Sequence, residues 1–190
     1  MFCVFLGTLE HIHSLHARAW CLRYVAIRMT MREGPGQREI EVVHRACQRI
    51  FSIYPDYARR PIEDGFNWSS SLAGCAFERL YLVVFRSVRR PSADLELLRE
   101  HDDRAYEQAL ESGGLLRYFK GEANERGECL SFCLWERREQ AIEAASSASH
   151  RSAADITVRM YESYVLERYW LKKVVTAREE KLIFEPIEPE

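Results

Sequence analysis

His150 and two closely spaced cysteines are the side chains of this 190-residue sequence that could most directly do chemistry. His150 follows a run of small residues, and a helix beginning there would disfavour the imidazolium and keep the ring neutral, as a proton acceptor requires. A capping or surface histidine is the alternative. Cys129 and Cys133, in CLSFC, have no base within their own motif, so covalent catalysis by a thiolate is not expected. The residues therefore predict His150 as the catalytic group.

A second set of residues could line a pocket for a small molecule. They alternate along two strands, so that small, mildly polar side chains share one face with aromatic rings, as small-molecule sites often do. Trp135 and Tyr81 could stack on a flat ligand or could be core rings, because aromatic residues chiefly serve burial. Arg168 would suit an anionic ligand, with an inter-subunit salt bridge as the alternative. The predicted ligand-binding residues are Tyr81, Phe85, Ser131, Cys133, Trp135 and Arg168.

The sequence His101-Asp102-Asp103 looks like a proton relay. On a helix, however, neighbouring residues point about 100° apart, so these side chains cannot converge, and a solvated face is predicted instead. The sequence contains no phosphate-binding loop, no dinucleotide fingerprint and no cysteines or histidines at zinc spacing. We therefore expect no cofactor and no metal.

The overall charge restricts the class of partner. Lysine and arginine number 27 against 29 acids, for a net charge of −2, and no apolar run approaches the length of a spanning helix. Neither a nucleic acid nor a membrane is therefore expected. The six cysteines have no framework spacing, which favours free thiols and a cytoplasmic protein. Residues 1–32 carry four arginines and one acid, so a mitochondrial presequence or an extended gene model is the alternative there.

The pattern of strands and helices predicts an α+β, ferredoxin-like βαββαβ fold with an antiparallel sheet. Strands are expected at 76–88, 115–121, 128–136, 163–175 and 181–187. One helix is expected to open after Pro91, with Ser92 as its N-cap, and another to cover 137–160. A helix over 39–51 and an irregular, aromatic-rich segment precede them. The predicted division is an N-terminal extension at 1–38, the helix and irregular segment at 39–73, and the ferredoxin-like domain at 74–187.

Both faces of the central strands are apolar, although this plan supplies helices for only one face. A second subunit is expected to cover the other face, and the alternative is the chain's own segment 39–70. The leucine-rich face is predicted to meet the Ala-rich helix, because large and small side chains interdigitate. That face holds Leu80, Leu82, Val84, Leu130, Phe132 and Leu134. The opposite face, with the predicted ligand-binding residues, would then line the space enclosed by a dimeric barrel.

Three stretches carry a resemblance to known proteins: FERLYLVVFRS, CLSFCLWERREQAIEAASSASHRSAADI and YVLERYWLKK. Over about 66–187 they resemble an uncharacterised family of fungal proteins. The core, 76–176, is similar to the dimeric α/β barrel of the antibiotic-biosynthesis-monooxygenase superfamily. Trp135 and His150 match the Trp and the last His of the superfamily's pattern, whereas Ala145 and Arg137 stand at its first His and its Ser. The resemblance implies a homodimeric barrel with a small pocket.

Two functions are consistent with these features. The first is a cofactor-independent oxygenase, or a related enzyme, that acts on an aromatic or polyketide-like small molecule. An easily oxidised substrate would supply the electrons, and the protein would supply a binding site and a base such as His150. The second is a non-catalytic homodimeric binding or assembly module, whose filled barrel serves folding and dimerisation alone.

Overall fold

The computed structural model describes residues 35–188. The N-terminal segment interpreted as a presequence or gene-model extension therefore lies almost entirely outside the described residues. The helices are α1 (Pro35–Cys47), α2 (Trp68–Leu72), α3 (Leu95–Glu111), α4 (Arg138–Ala145) and α5 (Ala148–Met160), with a 3-10 helix at Tyr57–Arg59. The strands are β1 (Arg79–Arg89), β2 (Leu115–Phe119), β3 (Glu128–Trp135), β4 (Tyr161–Val175) and β5 (Glu180–Pro186).

The five strands form one sheet in the order β2-β3-β1-β4-β5, and every neighbouring pair is antiparallel. β1 lies at the centre, where Tyr81 is opposite both Trp135 of β3 and Trp170 of β4. The order β1-α3-β2-β3-α4/α5-β4 is the split βαβ arrangement. The predicted ferredoxin-like α+β fold is confirmed, whereas the division of the chain at residues 38 and 73 stays a prediction.

Helix α3 begins at a cap that the sequence placed two residues too early. The carboxylate of Asp94 accepts hydrogen bonds from the backbone amides of Glu96 and Leu97, at 3.1 and 3.0 Å. Ser92, the predicted N-cap, lies before this turn. A carboxylate at the cap satisfies two amides that would otherwise lack an acceptor.

Replacing Asp94 by alanine should therefore lower the free energy of unfolding by about 1 kcal/mol. Urea denaturation followed by circular dichroism measures this change. Ser92→Ala is the matched control, and its midpoint should stay at the wild-type value. A larger effect of Ser92→Ala than of Asp94→Ala would contradict the assignment of the cap.

The leucine-rich face of the sheet is covered by the same chain. Leu82, Phe132 and their neighbours on this face pack against α1 and the aromatic segment that follows it, in one buried cluster. Trp68 lies at its centre: its side chain is 2% exposed, and its indole N–H donates to the Ile62 carbonyl at 2.7 Å. The residues that the N-terminal part contributes are Val43, Ala46, Cys47, Ile50, Ile62, Phe66, Trp68, Leu72 and Cys75.

The other face of the sheet packs against the helices. Tyr81 and Trp135 lie here in a second cluster with Ala109 of α3 and with Ala141 and Ala144 of α4. The small alanines let the helices approach two large rings closely, which is the same interdigitation of large and small residues that the sequence analysis assigned to the leucine-rich face.

Both face assignments made from the sequence are therefore wrong. The Ala-rich helix meets the face of Tyr81 and Trp135 instead of the leucine-rich face, and the leucine-rich face meets the chain's own N-terminal part instead of that helix. The alternative in which segment 39–70, rather than a second subunit, covers the face that the helices leave open is confirmed. An uncovered face of the sheet is thus no reason for a dimer, and a homodimer has to be argued from another surface.

Arg86 of β1 fastens the 3-10 segment to the sheet. Its Nη1 and Nη2 donate to the carbonyls of Ala58 and Arg60 at 2.8 Å each, and its Nε donates to Glu167 at 2.5 Å. Glu167 also accepts from the Tyr169 hydroxyl at 2.9 Å. A carboxylate in the otherwise apolar β4 needs a partner, and Glu167 finds its partners in the same chain.

No helix among residues 35–188 combines the length and apolar character needed to cross a bilayer. The same residues contain no group of three or more His, Cys, Asp or Glu side chains placed to hold a metal ion.

Candidate active site in the tyrosine recess

Between the helices and one end of the sheet, polar and aromatic side chains converge on Asp102 of α3. We call this place the tyrosine recess. The Tyr161 and Tyr164 rings of β4 lie 5.3 Å apart, and Phe85 of β1 lies 6.4 Å from Tyr164. The recess is formed by Phe85, Asp102, Tyr118, Cys133, His150, Tyr161 and Tyr164.

Two donors hold the Asp102 carboxylate at the sheet. The Tyr118 hydroxyl donates to Oδ1 at 2.5 Å, and the Lys120 ammonium lies 2.5 Å from Oδ2. The pKa of Tyr118 is raised, chiefly by burial and further by the neighbouring charge of Asp102. Tyr118 therefore stays protonated and keeps donating, so that Asp102 has a fixed position from which its negative charge acts on the recess.

Tyr164 shows that the recess is open to solvent. Its side chain is 40% exposed, yet burial is the largest cause that raises its pKa. Both observations hold if the ring is surrounded by protein while water still reaches part of it. The charges of Tyr161 and Asp102 raise the pKa further. The hydroxyl is therefore a neutral donor that solvent partly reaches, where a ligand oxygen could accept from it.

Cys133 lies on the floor of the recess, and its thiol is neutral. Burial raises its pKa, and the negative charge of Asp102 adds to this effect. Because the thiolate is the nucleophilic form, Cys133 is an apolar wall rather than a reactive group.

His150 lies in the first turn of α5. Its backbone amide donates to Oγ of the N-cap Ser147 at 3.3 Å, and its Nδ1 lies 3.1 Å from the same oxygen. Its pKa is lowered, as the sequence analysis expected, but burial is the largest cause, while the charge of Asp102 opposes it. The neutral imidazole is the form that accepts a proton.

The structure separates the predicted ligand-binding residues into two groups. Phe85 and Cys133 lie in the recess with His150. Tyr81 and Trp135 are each 3% exposed within the second core cluster, where no ligand reaches them without rearrangement. The remaining two lie on the same face of the sheet without belonging to either group: Ser131, opposite Phe85, accepts from the Gly121 amide through Oγ at 3.0 Å, and Arg168 is on β4 with Tyr164.

Asp102 and the tyrosines of the recess were missed by the sequence analysis. His101 and Asp102 do diverge as expected, since His101 Nδ1 lies 3.2 Å from Ser152 Oγ on α5 while Asp102 reaches the sheet. A signal was nevertheless present. Asp102 follows Leu98 by four residues and precedes Ala109 by seven, so it lies on the buried stripe of α3. A carboxylate on an apolar stripe needs a partner.

A groove lies on the other face of the sheet, beside the 3-10 helix. It has a volume of about 650 Å³ and includes Arg59, Arg60, Arg86 and Glu167 in its lining. Its three arginines are already paired, Arg59 with Glu128, Arg60 with Asp56, and Arg86 with Glu167. The tyrosine recess, in contrast, holds the neutral base and the neutral hydroxyl donors, so we assign the candidate site to the recess.

Comparison with protein families identifies the chain's relatives. The model of the PB2B2.08-like family matches residues 30–185. The chain belongs to this family. The match includes every residue of the tyrosine recess and the whole sheet except Pro186, the last residue of β5.

Comparisons with individual proteins give the fold alone. No curated protein matches the PB2B2.08-like chain. Among solved structures, a putative antibiotic biosynthesis monooxygenase from Nitrosomonas europaea is similar, with 12% identity and a TM-score of 0.43, over 51% of this chain and 92% of that one. Rv0793 from Mycobacterium tuberculosis has 19% identity and a TM-score of 0.42, over 52% and 98% of the two chains. SnoaB from Streptomyces nogalater, described as a cofactor-independent oxygenase, has 12% identity and a TM-score of 0.39, over 54% and 100%.

Proposed function

We propose that this protein binds a small aromatic or polyketide-like molecule in the tyrosine recess and catalyses its oxygenation without a cofactor. The observation that carries the proposal is that the His150 imidazole, held neutral by burial, and the Tyr161 and Tyr164 hydroxyls all lie within reach of the charge of the anchored Asp102 carboxylate. A base held neutral by burial can remove a proton near neutral pH. Phe85, Tyr161 and Tyr164 supply apolar walls for a flat substrate.

The chemistry balances with a substrate whose carbanion is stabilised by aromatic rings, such as an anthrone. His150 accepts a proton from the ring CH2 group, and the resulting carbanion donates electrons to molecular oxygen. A C–O bond forms and the O–O bond breaks, so that one O2 converts the CH2 group into a carbonyl and releases one water. The substrate is oxidised and oxygen is reduced, and the protein supplies only binding and proton transfer.

Tyr164 has a second role in this proposal. Because its hydroxyl stays protonated, it can donate a hydrogen bond to the oxygen on which negative charge develops when the substrate loses its proton. Asp102 acts through Tyr118, since it fixes that side chain at the opposite wall of the recess. It is a positioning residue here.

An oxygen electrode tests the proposal directly. The purified full-length chain, treated with a chelator, is mixed with anthrone or a naphthalene hydroquinol, and oxygen uptake is compared with formation of the oxidised product. We expect uptake and product in a one-to-one ratio for anthrone, at a rate well above that of the buffer. A rate equal to that of the buffer with every compound would contradict the oxygenase.

A non-catalytic binding or assembly module is the second candidate, and one observation favours it. Tyr81 and Trp135 pack without a cavity, as expected if their face serves folding alone. Native mass spectrometry separates the two functions, because a module of this kind would retain an aromatic ligand while oxygen uptake stays at the buffer rate.

We also propose that the protein acts as a homodimer, through the surface derived in the next subsection. Placement in the cytoplasm, with the mitochondrion as the alternative, stays a prediction, and imaging of a tagged full-length chain in cells is its test.

A further inference from the structure

The N-terminal half of β4 is exposed on both faces and along one edge. β5 pairs with β4 only over Tyr169–Val175, so residues 161–167 have no paired strand on that side among the described residues. Tyr164 and Leu166 point to one face and Val165 to the other, and all three are at least 40% exposed. We call residues 161–167 the open half of β4.

The free edge presents backbone groups that are ready to pair. The carbonyl of Arg168 accepts from the Ile187 amide at 2.9 Å, so the polar backbone groups of Arg168 point away from β1. Because alternate residues of an antiparallel strand point the same way, the amides and carbonyls of Leu166 and Tyr164 also point to the open edge. An exposed edge with large apolar side chains is a template for another strand.

Two charged side chains of β4 indicate that the strand pairing with this edge belongs to a second copy of the chain. Glu162 lies near the start of the open half, and Arg168 lies just beyond its end. Neither side chain has an ion-pair partner within residues 35–188. Ile187 already occupies the edge at Arg168, so a second copy can pair only with the residues before it. An antiparallel approach about a two-fold axis at Tyr164 places Glu162 of each chain opposite Leu166 and diagonal to Arg168 of the other, on the same face. A parallel approach would place like charges beside each other.

We propose that the open half of β4 is a homodimer interface, in which the two strands pair antiparallel and the two sheets become continuous. This proposal rests on the proposed homodimer and specifies its surface. Pairing satisfies the edge groups of Tyr164 and Leu166 and covers apolar side chains on both faces. It is isologous, since the same patch of each chain meets itself.

The interface adjoins the tyrosine recess. Tyr164 belongs to both, and Leu166 lies two residues away on the same face of the sheet. In the antiparallel pair, the partner's Leu166 lies opposite or diagonal to Tyr164 and so borders the mouth of the recess. Each subunit thereby contributes one apolar side chain to the entrance of its partner's site.

A lysine at the centre of the interface tests the proposal. Val165 is 53% exposed on the face opposite the recess, so Val165→Lys should leave the fold and the recess intact while it places two ammonium groups near the two-fold axis. Light scattering after size exclusion should give twice the chain mass of 22.3 kDa for the wild type and 22.3 kDa for the variant.

The same strand offers a matched control. Val175 is 69% exposed and lies at the far end of β4, about 33 Å away at 3.3 Å per residue. Val175→Lys should stay dimeric. Glu162→Arg and Arg168→Glu should each weaken the dimer, and the double variant should restore it. In the wild type alone, the amides of residues 161–167 should exchange hydrogen more slowly as protein concentration rises.

The outcomes separate the two proposals. A wild-type protein that scatters as a single chain overturns both the homodimer and this interface. A wild-type dimer that persists in Val165→Lys, with unchanged exchange at residues 161–167, overturns the interface and leaves the homodimer to another surface.

Discussion

Replacement of His150 by glutamine should lower the rate of anthrone oxidation by about 10²–10⁴-fold, the contribution typical of a positioned general base. Glutamine keeps the side chain polar and similar in length but cannot take up the proton. The effect should appear in kcat, with little change in KM, because the proton is transferred only in the chemical step. Oxygen uptake at saturating substrate measures it.

The dependence of the rate on pH should identify the same group. Burial lowers the pKa of His150 below 6.5, and only the neutral ring can accept a proton. The rate of the wild type should therefore rise with pH, pass its midpoint below pH 6.5 and be constant near neutrality. His44→Gln, an exposed position on α1, is the matched control and should keep this profile. A profile that is unchanged in His150→Gln would remove His150 from the mechanism.

Truncation of Trp68 to alanine should lower the free energy of unfolding by about 3–5 kcal/mol, as for other large aromatic side chains removed from a core. The substitution empties the space among Phe66, Phe132 and Phe184, whose ring centroids lie 5.0–5.6 Å from that of Trp68. It also leaves the Ile62 carbonyl without its donor. Urea denaturation monitored by circular dichroism gives the change without relying on the missing fluorophore.

Phe51→Ala separates this effect from the general loss of an aromatic ring. Phe51 is 57% exposed on the same N-terminal part, so its truncation should change stability by less than about 0.5 kcal/mol. Equal, small effects of the two substitutions would mean that the N-terminal part does not cover the sheet. In that case a second subunit would again be the best candidate for the cover.

The elements of the fold could be predicted because local signals specify them. β1 combines β-branched and aromatic residues, and its neighbours are separated from it by turn residues. The turn before β3 ends at Gly127, whose φ of 78° favours glycine, and α3 is followed by Gly113 with a φ of 75°. Such signals depend on residues that are close together in the chain, so they can be recognised from the sequence alone.

The cover of the sheet could not be predicted in the same way. Alternation along β1 shows that both faces are buried, but it does not show what buries each one. Tyr81 and Leu82, on opposite faces, can both pack against small alanines. The expectation that large side chains interdigitate with small ones therefore fits either face and does not decide between them. The leucine-rich face is covered in part by the rings of Phe66 and Trp68, which come from a stretch of sequence without any periodic pattern, although Trp68 opens the short helix α2.

The site was predicted in part for a related reason. His150 was found because one local feature, the restart of a helix after small residues, singles it out. Tyr118, Asp102 and Tyr164 come from three elements far apart in the chain, and no local spacing connects them. The position of Asp102 on an apolar stripe was the one sequence signal that could have pointed to a buried partner.

Cys47 and Cys75 lie in the N-terminal part that covers the leucine-rich face of the sheet, and their thiols can report on its movement. Cys47 is fully buried, and burial raises its pKa to about 12, while Cys75 is also buried. In the native protein neither thiol should react with iodoacetamide, since the reagent needs an accessible thiolate. The rate of alkylation at these two positions can be measured by mass spectrometry of their peptides. It reports how often the N-terminal part detaches from the sheet while the rest of the chain stays folded.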